Sequence, residues 1–149
     1  MGNLSHEDLV RRWVAMFNSQ DFSDAGRLAA PDYVEHAVVP FGRTETGSTD
    51  GPTHLGDAAA WLIAQFPDLE MRIVAIVADD SMVGTLVTTT GTNLGPLNGV
   101  IPATGLRFVA NQSHWFRVRD GRLAEHWATR DDLSAMVQLG VITPPGGPR

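Results

Sequence analysis

Residues 111–133 read NQSHWFRVRDGRLAEHWATRDDL and contain two of the chain's five histidines and two of its four tryptophans. Polar and apolar side chains alternate on both sides of Asp120-Gly121, a dipeptide typical of tight hairpin turns, so we predict two antiparallel strands here. Even-numbered residues of the first strand share one face, which is apolar except for Gln112 and His114. Two neighbouring polar side chains on an apolar strand face indicate a candidate reaction site.

The turn decides which residues of the second strand share the face of His114. A two-residue type I′ turn places Glu125 and Trp127 there. A three-residue loop with a bulged glycine shifts the register by one, so that His126 and Ala128 lie there instead. The alternation on this strand is compatible with both registers, and the residues alone leave the choice open.

Outward from this hairpin, the hydrophobic periodicity predicts helices first and strands afterwards. Ser5 can cap a first helix in which Leu9, Trp13 and Phe17 lie on one face. We predict helices at about 5–20, 22–30, 52–66 and 131–140, a strand at 32–39, two strands within 71–92, a mobile loop at 40–52 and a further loop at 93–105. This order predicts an α+β fold, with N-terminal helices packed on one face of a curved antiparallel sheet.

Length and composition predict one globular domain. The chain has 149 residues, and we predict a single domain at 1–142 followed by a disordered Pro/Gly tail at 143–149. Its composition of 43% hydrophobic and 19% charged residues is ordinary, and no apolar stretch is long enough to span a membrane. The N-terminal residues MGNLSHEDLVRRW lack the apolar core of a secretion signal, so we expect a cytoplasmic location.

Missing residue types and motifs exclude several kinds of chemistry. Cysteine and lysine are absent, which excludes disulfides, thiolate nucleophiles, cysteine-ligated zinc and Schiff bases. The formal net charge of -6, with no basic run, argues against nucleic-acid binding. Hydrolase, P-loop, dinucleotide and zinc-protease motifs do not occur. We expect neither a metal nor an organic cofactor.

A curved sheet folded against helices encloses a conical cavity, which in such folds is usually apolar with a few polar groups. The predicted substrate-binding residues are Tyr33, His36, Trp61, Phe66, Phe108 and Phe116. Asp131 is a candidate acid that can alternatively serve only as a helix cap. Glu125 is either a pocket acid or a solvated strand residue. His54 either lines the mouth of the cavity or, as is usual in a first helical turn, is exposed.

Nearly the whole chain resembles the SnoaL-like polyketide cyclases, a family within the nuclear-transport-factor-like cone fold. The resemblance rests on LVRRWVAMFNSQD with PDYVEH, GPTHLGDAAAWLIAQFPD, GPLNGVIPATGLRF, QSHWFRVRDGRLAEHW and QLG. It implies a cone-shaped domain with a central pocket and an intramolecular aldol ring closure without metal or organic cofactor. It also implies that Gln112 and His114 correspond to the family's Gln-x-His pair.

Position 128 departs from this resemblance. The family's acid/base aspartate corresponds to the residue after EHW, which is Ala128, and a methyl group cannot transfer a proton. Another group, namely His114, His126, Glu125 or Asp131, can have taken the role, the reaction can differ, or the protein only binds its ligand. If residue 128 points into the cavity, His126 points there too. The resemblance thus favours the bulged turn, with His114 and His126 as an acid/base pair and Gln112 holding an oxyanion.

The leading hypothesis is a cofactor-independent, cyclase-like enzyme of specialised metabolism that acts on a hydrophobic, oxygenated small molecule. Its catalytic candidates are His114, His126, Gln112 and Asp131. Two alternatives stay open, namely a hydroxylase, hydrolase or isomerase on the same fold, and a noncatalytic ligand-binding module. We expect a homodimer joined through the open face of the sheet, with no nucleic-acid or membrane partner.

Overall fold

A computed structural model describes residues 4–38, 40–42 and 51–146. Their helices and strands are, in chain order, α1 (His6–Ser19), α2 (Ala25–Leu28), β1 (Ala29–Glu35), α3 (Gly51–Gln65), β2 (Glu70–Ala78), β3 (Met82–Thr92), β4 (Arg107–Arg119), β5 (Arg122–Arg130) and α4 (Asp132–Gln138), with a 3-10 turn at Pro40–Gly42. The order of these elements is the predicted one. The predicted α+β fold is therefore confirmed.

The five strands form one curved, open sheet in the order β1-β5-β4-β3-β2. Strands β2 to β5 are joined as antiparallel pairs, as predicted, whereas β1 pairs with β5 in parallel. β1 begins earlier than predicted because its pairing with β5 starts at Ala29, opposite Leu123. The same early start leaves α2 with a single turn, shorter than predicted.

Helix α1 packs on the sheet through the apolar face that its periodicity predicts. The Ser5 side chain caps the helix by accepting a hydrogen bond from Asp8 N at 3.1 Å. Trp13 is buried on the packed face, and Asn18 fixes the end of the helix through two 2.8 Å hydrogen bonds with the backbone of Met71. Burial of each large apolar side chain contributes about 2 kcal/mol, so this face is the main attachment of the helix.

Helix α3 begins at Gly51, one position before the predicted start. Gly51 has a φ of +56°, in the left-handed region that favours glycine. A Cβ atom there would lie 2.5 Å from the carbonyl oxygen of Pro31, so only glycine lets the helix start this close to β1. Leu55 and Ala59 are buried along the same helix and attach it to the core.

The β4–β5 hairpin turns in two residues. Asp120 and Gly121 have φ values of +52° and +72°, as a type I′ turn requires, and Arg119 pairs with Arg122. The favoured prediction of a three-residue loop with its bulge at the turn glycine is therefore wrong, because both central residues of the tight turn adopt positive φ.

A bulge lies further along the same hairpin, at Ala124. This residue is an extra one in β5, opposite the β4 residues 117–118, and it shifts the register by one. Beyond the bulge Ala128 is the Cα partner of His114, and His126 is buried on the same face. The predicted inward position of His126 is thus confirmed, although a different residue causes it.

Some predictions fall outside the described residues. The predicted mobile loop at 40–52 lies mostly outside them and the predicted tail at 143–149 lies partly outside them, while the single domain at 1–142 stays a prediction. None of the helices in the described ranges is both long enough and apolar enough to cross a membrane.

Candidate active site

A cavity of about 280 Å³ lies between the inner face of the sheet and helices α1, α3 and α4. Its wall is mostly apolar and includes Trp13, Phe17, Leu55, Trp61, Leu62, Leu69, Met71 and Phe108. The polar side chains that line it are Glu35, Thr89, Gln112, His114, His126 and Arg130 on the strands and His54, Asp57 and Asp132 on the helices. An apolar wall with a few polar groups is typical of small-molecule sites.

Four polar side chains along one side of the cavity form a hydrogen-bonded line, termed the relay: Glu35, His126, His114 and Gln112. The Glu35 carboxylate oxygens lie 2.8 and 2.9 Å from His126 Nδ1. His126 Nε2 lies 2.9 Å from His114 Nδ1, and His114 Nε2 lies 3.1 Å from Gln112 Oε1. Thr89 Oγ1 donates to the same Gln112 oxygen at 3.1 Å. Each side chain of the relay is therefore oriented by the next one.

Strand pairing explains why the relay assembles. Glu35 and His126 are Cα partners on the parallel strands β1 and β5, and the bulge in β5 turns His126 toward β4. Ala128 faces His114 across the β4–β5 pair, so no carboxylate lies directly opposite that imidazole. Within the described ranges, no three His, Asp or Glu side chains are grouped as they would be around a metal ion.

Glu35 is held as a carboxylate by its surroundings. Its Oε2 accepts a hydrogen bond from Tyr33 Oη at 3.0 Å, and its Oε1 accepts one from Ala37 N at 2.9 Å. Burial acts to raise the pKa of Glu35, but the hydrogen bond and charge of His126, with the bonds from Ala37 and Tyr33, outweigh it and lower that pKa. Glu35 is therefore ionised at neutral pH.

His114 is held uncharged. The residue is 3% exposed, and its imidazole centroid lies 4.7 Å from that of Trp13. Burial, followed by the charges of His126 and Arg130, holds the pKa of His114 well below its ordinary value. A buried, neutral imidazole with both nitrogens hydrogen-bonded can accept or donate a proton without a change of position.

Arg130 brings a cation to the wall of the cavity. Its side chain is 9% exposed, its Nε lies 3.5 Å from Asp132 Oδ1, and its terminal nitrogen donates to Val38 O. Asp132 also accepts a hydrogen bond from Phe41 N at 3.1 Å, which ties the 3-10 turn to α4. These contacts join β5, α4 and the segment after β1 at one end of the cavity.

The structure brings six predicted site residues to the cavity, namely His114, His126, Gln112, Tyr33, Trp61 and Phe108. Their catalytic and substrate-binding roles stay predictions. His54 is half-buried and also lines the cavity, the first of its two predicted positions, because α3 turns that face toward the sheet.

Two predicted polar site residues lie outside the cavity. Asp131 is exposed, and its side chain caps α4 by accepting a hydrogen bond from Ser134 N at 3.1 Å, which is its alternative role. His36 lies on the outer face of the sheet, where its ring stacks on Trp127 with centroids 4.6 Å apart. Strand alternation is the reason, because Tyr33 points inward and His36 therefore points outward.

Two predicted substrate-binding aromatics belong to the core instead. Phe66 is fully buried, and its ring packs against Phe108 with centroids 5.1 Å apart. Phe116 is also fully buried and stacks on His126 with centroids 4.6 Å apart. Phe116 therefore helps to fix the orientation of the His126 ring within the relay.

Glu125 lies on the outer face as well. Its carboxylate accepts hydrogen bonds from His36 Nε2 at 2.9 Å and from Arg117 Nε at 2.8 Å, and its side chain is 26% exposed. The sequence allowed a pocket acid or a solvated strand residue, and the structure shows the second, with the side chain partly solvated.

Several residues of the site were missed from the sequence, among them Glu35, Arg130 and Trp13. Glu35 lies two positions after Tyr33 on the same strand. Strand alternation therefore places both side chains on one face, and this was a signal for Glu35. Arg130 follows His126 and Ala128 on the same alternation once the register is known. Trp13 lies on the apolar face of α1, where it is indistinguishable in sequence from an ordinary core residue.

Two proteins from Streptomyces are similar to this chain in sequence. The aklanonic acid methyl ester cyclase DnrD of Streptomyces peucetius is 30% identical over 135 residues, 89% of this chain and 89% of that protein. The nogalonic acid methyl ester cyclase of Streptomyces nogalater is 30% identical over 129 residues, 85% of this chain and 91% of that protein.

A solved structure supports the same relationship. Wild-type IdmH from Streptomyces antibioticus superposes with a TM-score of 0.77 at 31% identity, over 93% of this chain and 100% of that one. The family model for SnoaL-like polyketide cyclases matches residues 7–139, which include the helices, the sheet and the relay. The chain therefore belongs to the SnoaL-like polyketide cyclase family.

Proposed function

We propose that this protein is a polyketide cyclase-like enzyme that closes a ring by an intramolecular aldol reaction in the cavity, without a metal or organic cofactor. The observation that carries the proposal is the His114 imidazole, which lines an apolar cavity, is uncharged and is hydrogen-bonded at both nitrogens. A neutral imidazole can take a proton from carbon, and an apolar wall limits the access of water to the resulting carbanion.

The reaction needs one base and one oxyanion donor. His114 Nε2 takes a proton from an acidic carbon between two carbonyl groups, and the electron pair stays on the substrate as an enolate. With the proton on His114 Nε2, Gln112 Oε1 accepts from that nitrogen, which leaves the Gln112 amide NH₂ to donate to the enolate oxygen. The enolate carbon attacks a carbonyl of the same molecule, and the imidazolium returns its proton to the new alkoxide. Substrate and product then have the same formula.

The relatives support the substrate class. The two Streptomyces cyclases are named for methyl esters of aklanonic and nogalonic acid, and each aligns with most of this chain. We propose that the ligand here is likewise a hydrophobic, oxygenated polyketide ester, which suits a cavity with aromatic and aliphatic walls and a few polar groups.

The substitution His114→Ala tests this function, with aklanonic acid methyl ester as the probe. We expect the wild type to give a product of unchanged mass, and the variant to lose at least about a hundredfold in kcat/KM while keeping its circular dichroism spectrum. His6→Ala, a histidine outside the cavity, should keep the wild-type rate. An unchanged rate in His114→Ala removes that residue from the mechanism, and a product that gains oxygen or water favours a hydroxylase or hydrolase.

We also propose a homodimer, joined through the outer face of the sheet, and a cytoplasmic location. Val77, Leu86, Val109 and Trp115 on β2, β3 and β4 are each between 39% and 60% exposed and project from this face. An apolar strip of this kind suits a second copy of the chain. Sedimentation should give a dimer that Leu86→Glu dissociates, and a wild-type monomer would contradict the proposal. Cell fractionation tests the location.

A further inference from the structure

The protons of the relay can be counted from its hydrogen bonds. Glu35 is ionised and can only accept, so His126 Nδ1 carries a proton. With Gln112 Oε1 directed at His114, the Nε2–H group of His114 donates, its Nδ1 accepts, and His126 Nε2 must donate. His126 then has a proton on both nitrogens and is a cation, 2.8 Å from the Glu35 carboxylate.

A half-turn of the Gln112 amide gives a relay with one proton fewer. The NH₂ group then donates to both His114 Nε2 and Thr89 Oγ1, across the same two distances of 3.1 Å. Each histidine keeps a single proton, on Nδ1, and His114 donates to His126 Nε2. Both imidazoles are neutral, and the electron pair on His114 Nε2 becomes the base when the Gln112 amide turns its N–H from that nitrogen toward the substrate.

Proton uptake, with the return of the Gln112 amide to its first orientation, converts the second state into the first and places the positive charge on His126. An N–H bond forms at His114 Nε2, the Nδ1–H bond of His114 breaks, and its proton bonds to His126 Nε2. A cation on His114 would lie in a buried position opposite Ala128, and no carboxylate of the described residues is hydrogen-bonded to it. A cation on His126 is compensated by Glu35, which is hydrogen-bonded to it.

We propose that Glu35 is the positioning carboxylate of the proton transfer, because through His126 it stabilises the cation that proton uptake at His114 produces. This inference rests on the proposed function, since it assigns a partner to the base of that reaction. Glu35 is not itself the base, because both of its oxygens are occupied by His126, with Tyr33 Oη and Ala37 N as further donors. Reversal of the same transfers returns the proton to the alkoxide.

Other charged groups near the relay do not provide this stabilisation. Tyr33 on β1 donates to Glu35 and is not a hydrogen-bond partner of either imidazole, while Arg130 on β5 disfavours a cation on His114. The remaining titratable groups that line the cavity are His54 and Asp57 on α3 and Asp132 on α4. Of the carboxylates in the described part of the chain that line the cavity, only Glu35 is hydrogen-bonded to a histidine of the relay.

Histidine NMR titration tests the electrostatic part of the inference without any substrate. Glu35→Gln keeps the size of the side chain and removes its charge, so we expect the His114–His126 pair to take up its proton at a lower pH than in the wild type. Glu125→Gln is the matched control, because it makes the same change in a carboxylate that pairs with a histidine on the outer face. It should leave the titration of the relay pair unchanged.

The pH profile of cyclisation tests the catalytic part. With aklanonic acid methyl ester, we expect Glu35→Gln to lower kcat about tenfold, the effect of one pKa unit of lost stabilisation, and to move the acidic limb of kcat/KM to lower pH. A merely structural role lowers the rate without moving the limb. Glu35→Gln combined with His126→Asn should be no slower than the slower single variant, because both changes interrupt the same line.

The outcomes separate this inference from the proposed function. If the wild type does not convert the ester, the proposed function fails, while the NMR titration still decides whether Glu35 stabilises the relay cation. An unmoved titration or an unmoved acidic limb in Glu35→Gln overturns the inference. If Glu35→Gln does not fold, Glu35→Asp replaces it, because it retains the charge at a greater distance from His126. An acidic limb of Glu35→Asp that lies between those of the wild type and His126→Asn supports the inference. A wild-type acidic limb in His126→Asn overturns it.

Discussion

The dipeptide Glu-His occurs twice in this protein, and the two copies pair crosswise on opposite faces of one sheet. Glu35-His36 lies at the end of β1, and Glu125-His126 lies in β5. On the inner face Glu35 binds His126 at 2.8 Å, with side chains 15% and 8% exposed. On the outer face Glu125 binds His36 at 2.9 Å, with side chains 26% and 35% exposed. Their chemistry is the same and their surroundings differ.

Because residue types are the same in both pairs, burial is what distinguishes the inner pair from the outer one. For the outer Glu125, the hydrogen bond from His36 is the largest influence and lowers its pKa, and Arg117 helps it to outweigh burial. For Glu35, burial is the largest influence, and the relay has to outweigh it. A buried pair that loses one partner leaves an uncompensated charge or donor, whereas an exposed pair is replaced by water.

Removal of each carboxylate should give the largest difference between the two faces. We expect Glu35→Ala to lower the free energy of unfolding by about 3 kcal/mol, because His126 Nδ1 loses its buried acceptor. Glu125→Ala should cost less than about 1 kcal/mol, because its position is open to water. Urea denaturation of both variants measures the two losses. Equal losses would mean that the two faces are energetically alike.

The buried histidine of the inner face should also make stability depend on pH, with an effect of intermediate size. Below the ordinary pKa of histidine, about 6.5, the unfolded chain binds a proton at His114 that the folded protein does not, because the folded pKa is lowered. Lowering the pH from 6.5 to 5.5 should therefore lower the free energy of unfolding, by at most about 1.4 kcal/mol per pH unit. His114→Gln should flatten this slope in urea denaturation.

Glu125→Gln is the control for that pH dependence. The pKa of Glu125 is lowered from 4.5, so its contribution to stability is present above that value and is lost only at lower pH. Its slope between pH 7.5 and 5.5 should match that of the wild type. A slope that persists in His114→Gln would assign the effect to another group.

The smallest expected effects concern the donors to the two carboxylates. Tyr33→Phe removes the 3.0 Å hydrogen bond to Glu35 and should cost about 1 kcal/mol. Arg117→Met removes the 2.8 Å bond to Glu125 and should cost less than about 0.5 kcal/mol, because this ion pair is partly solvated. Thermal unfolding compares them, and a larger cost for Arg117→Met would reverse the proposed difference between the faces.

Local patterns were sufficient to predict the elements of the fold. Ser5 and the apolar side of α1 predict its start and its buried face, and the Asp-Gly dipeptide at 120–121 predicts the hairpin. Such features depend on residues close together in the chain. Pairing between distant strands was not predictable in the same way, so the parallel neighbour of β5 and the start of β1 emerged only from the structure.

The composition of the site was partly predictable for the same reason. Gln112 and His114 interrupt an apolar strand face, which is a local signal. The inward position of His126 depends on the bulge at Ala124, and nothing in that alanine distinguishes it from its neighbours. Glu35 was within reach of strand alternation, but its role became visible only when β1 was placed beside β5.

Trp13 lies against both histidines of the relay, with ring centroids 4.7 Å from His114 and 5.8 Å from His126. A protonated imidazole quenches the emission of an indole that it touches, so fluorescence from this residue depends on where the proton resides. Replacing Trp61, Trp115 and Trp127 by phenylalanine would leave a single emitter beside the two histidines. The protein thus contains its own optical sensor for proton movement, readable in a stopped-flow experiment during one turnover.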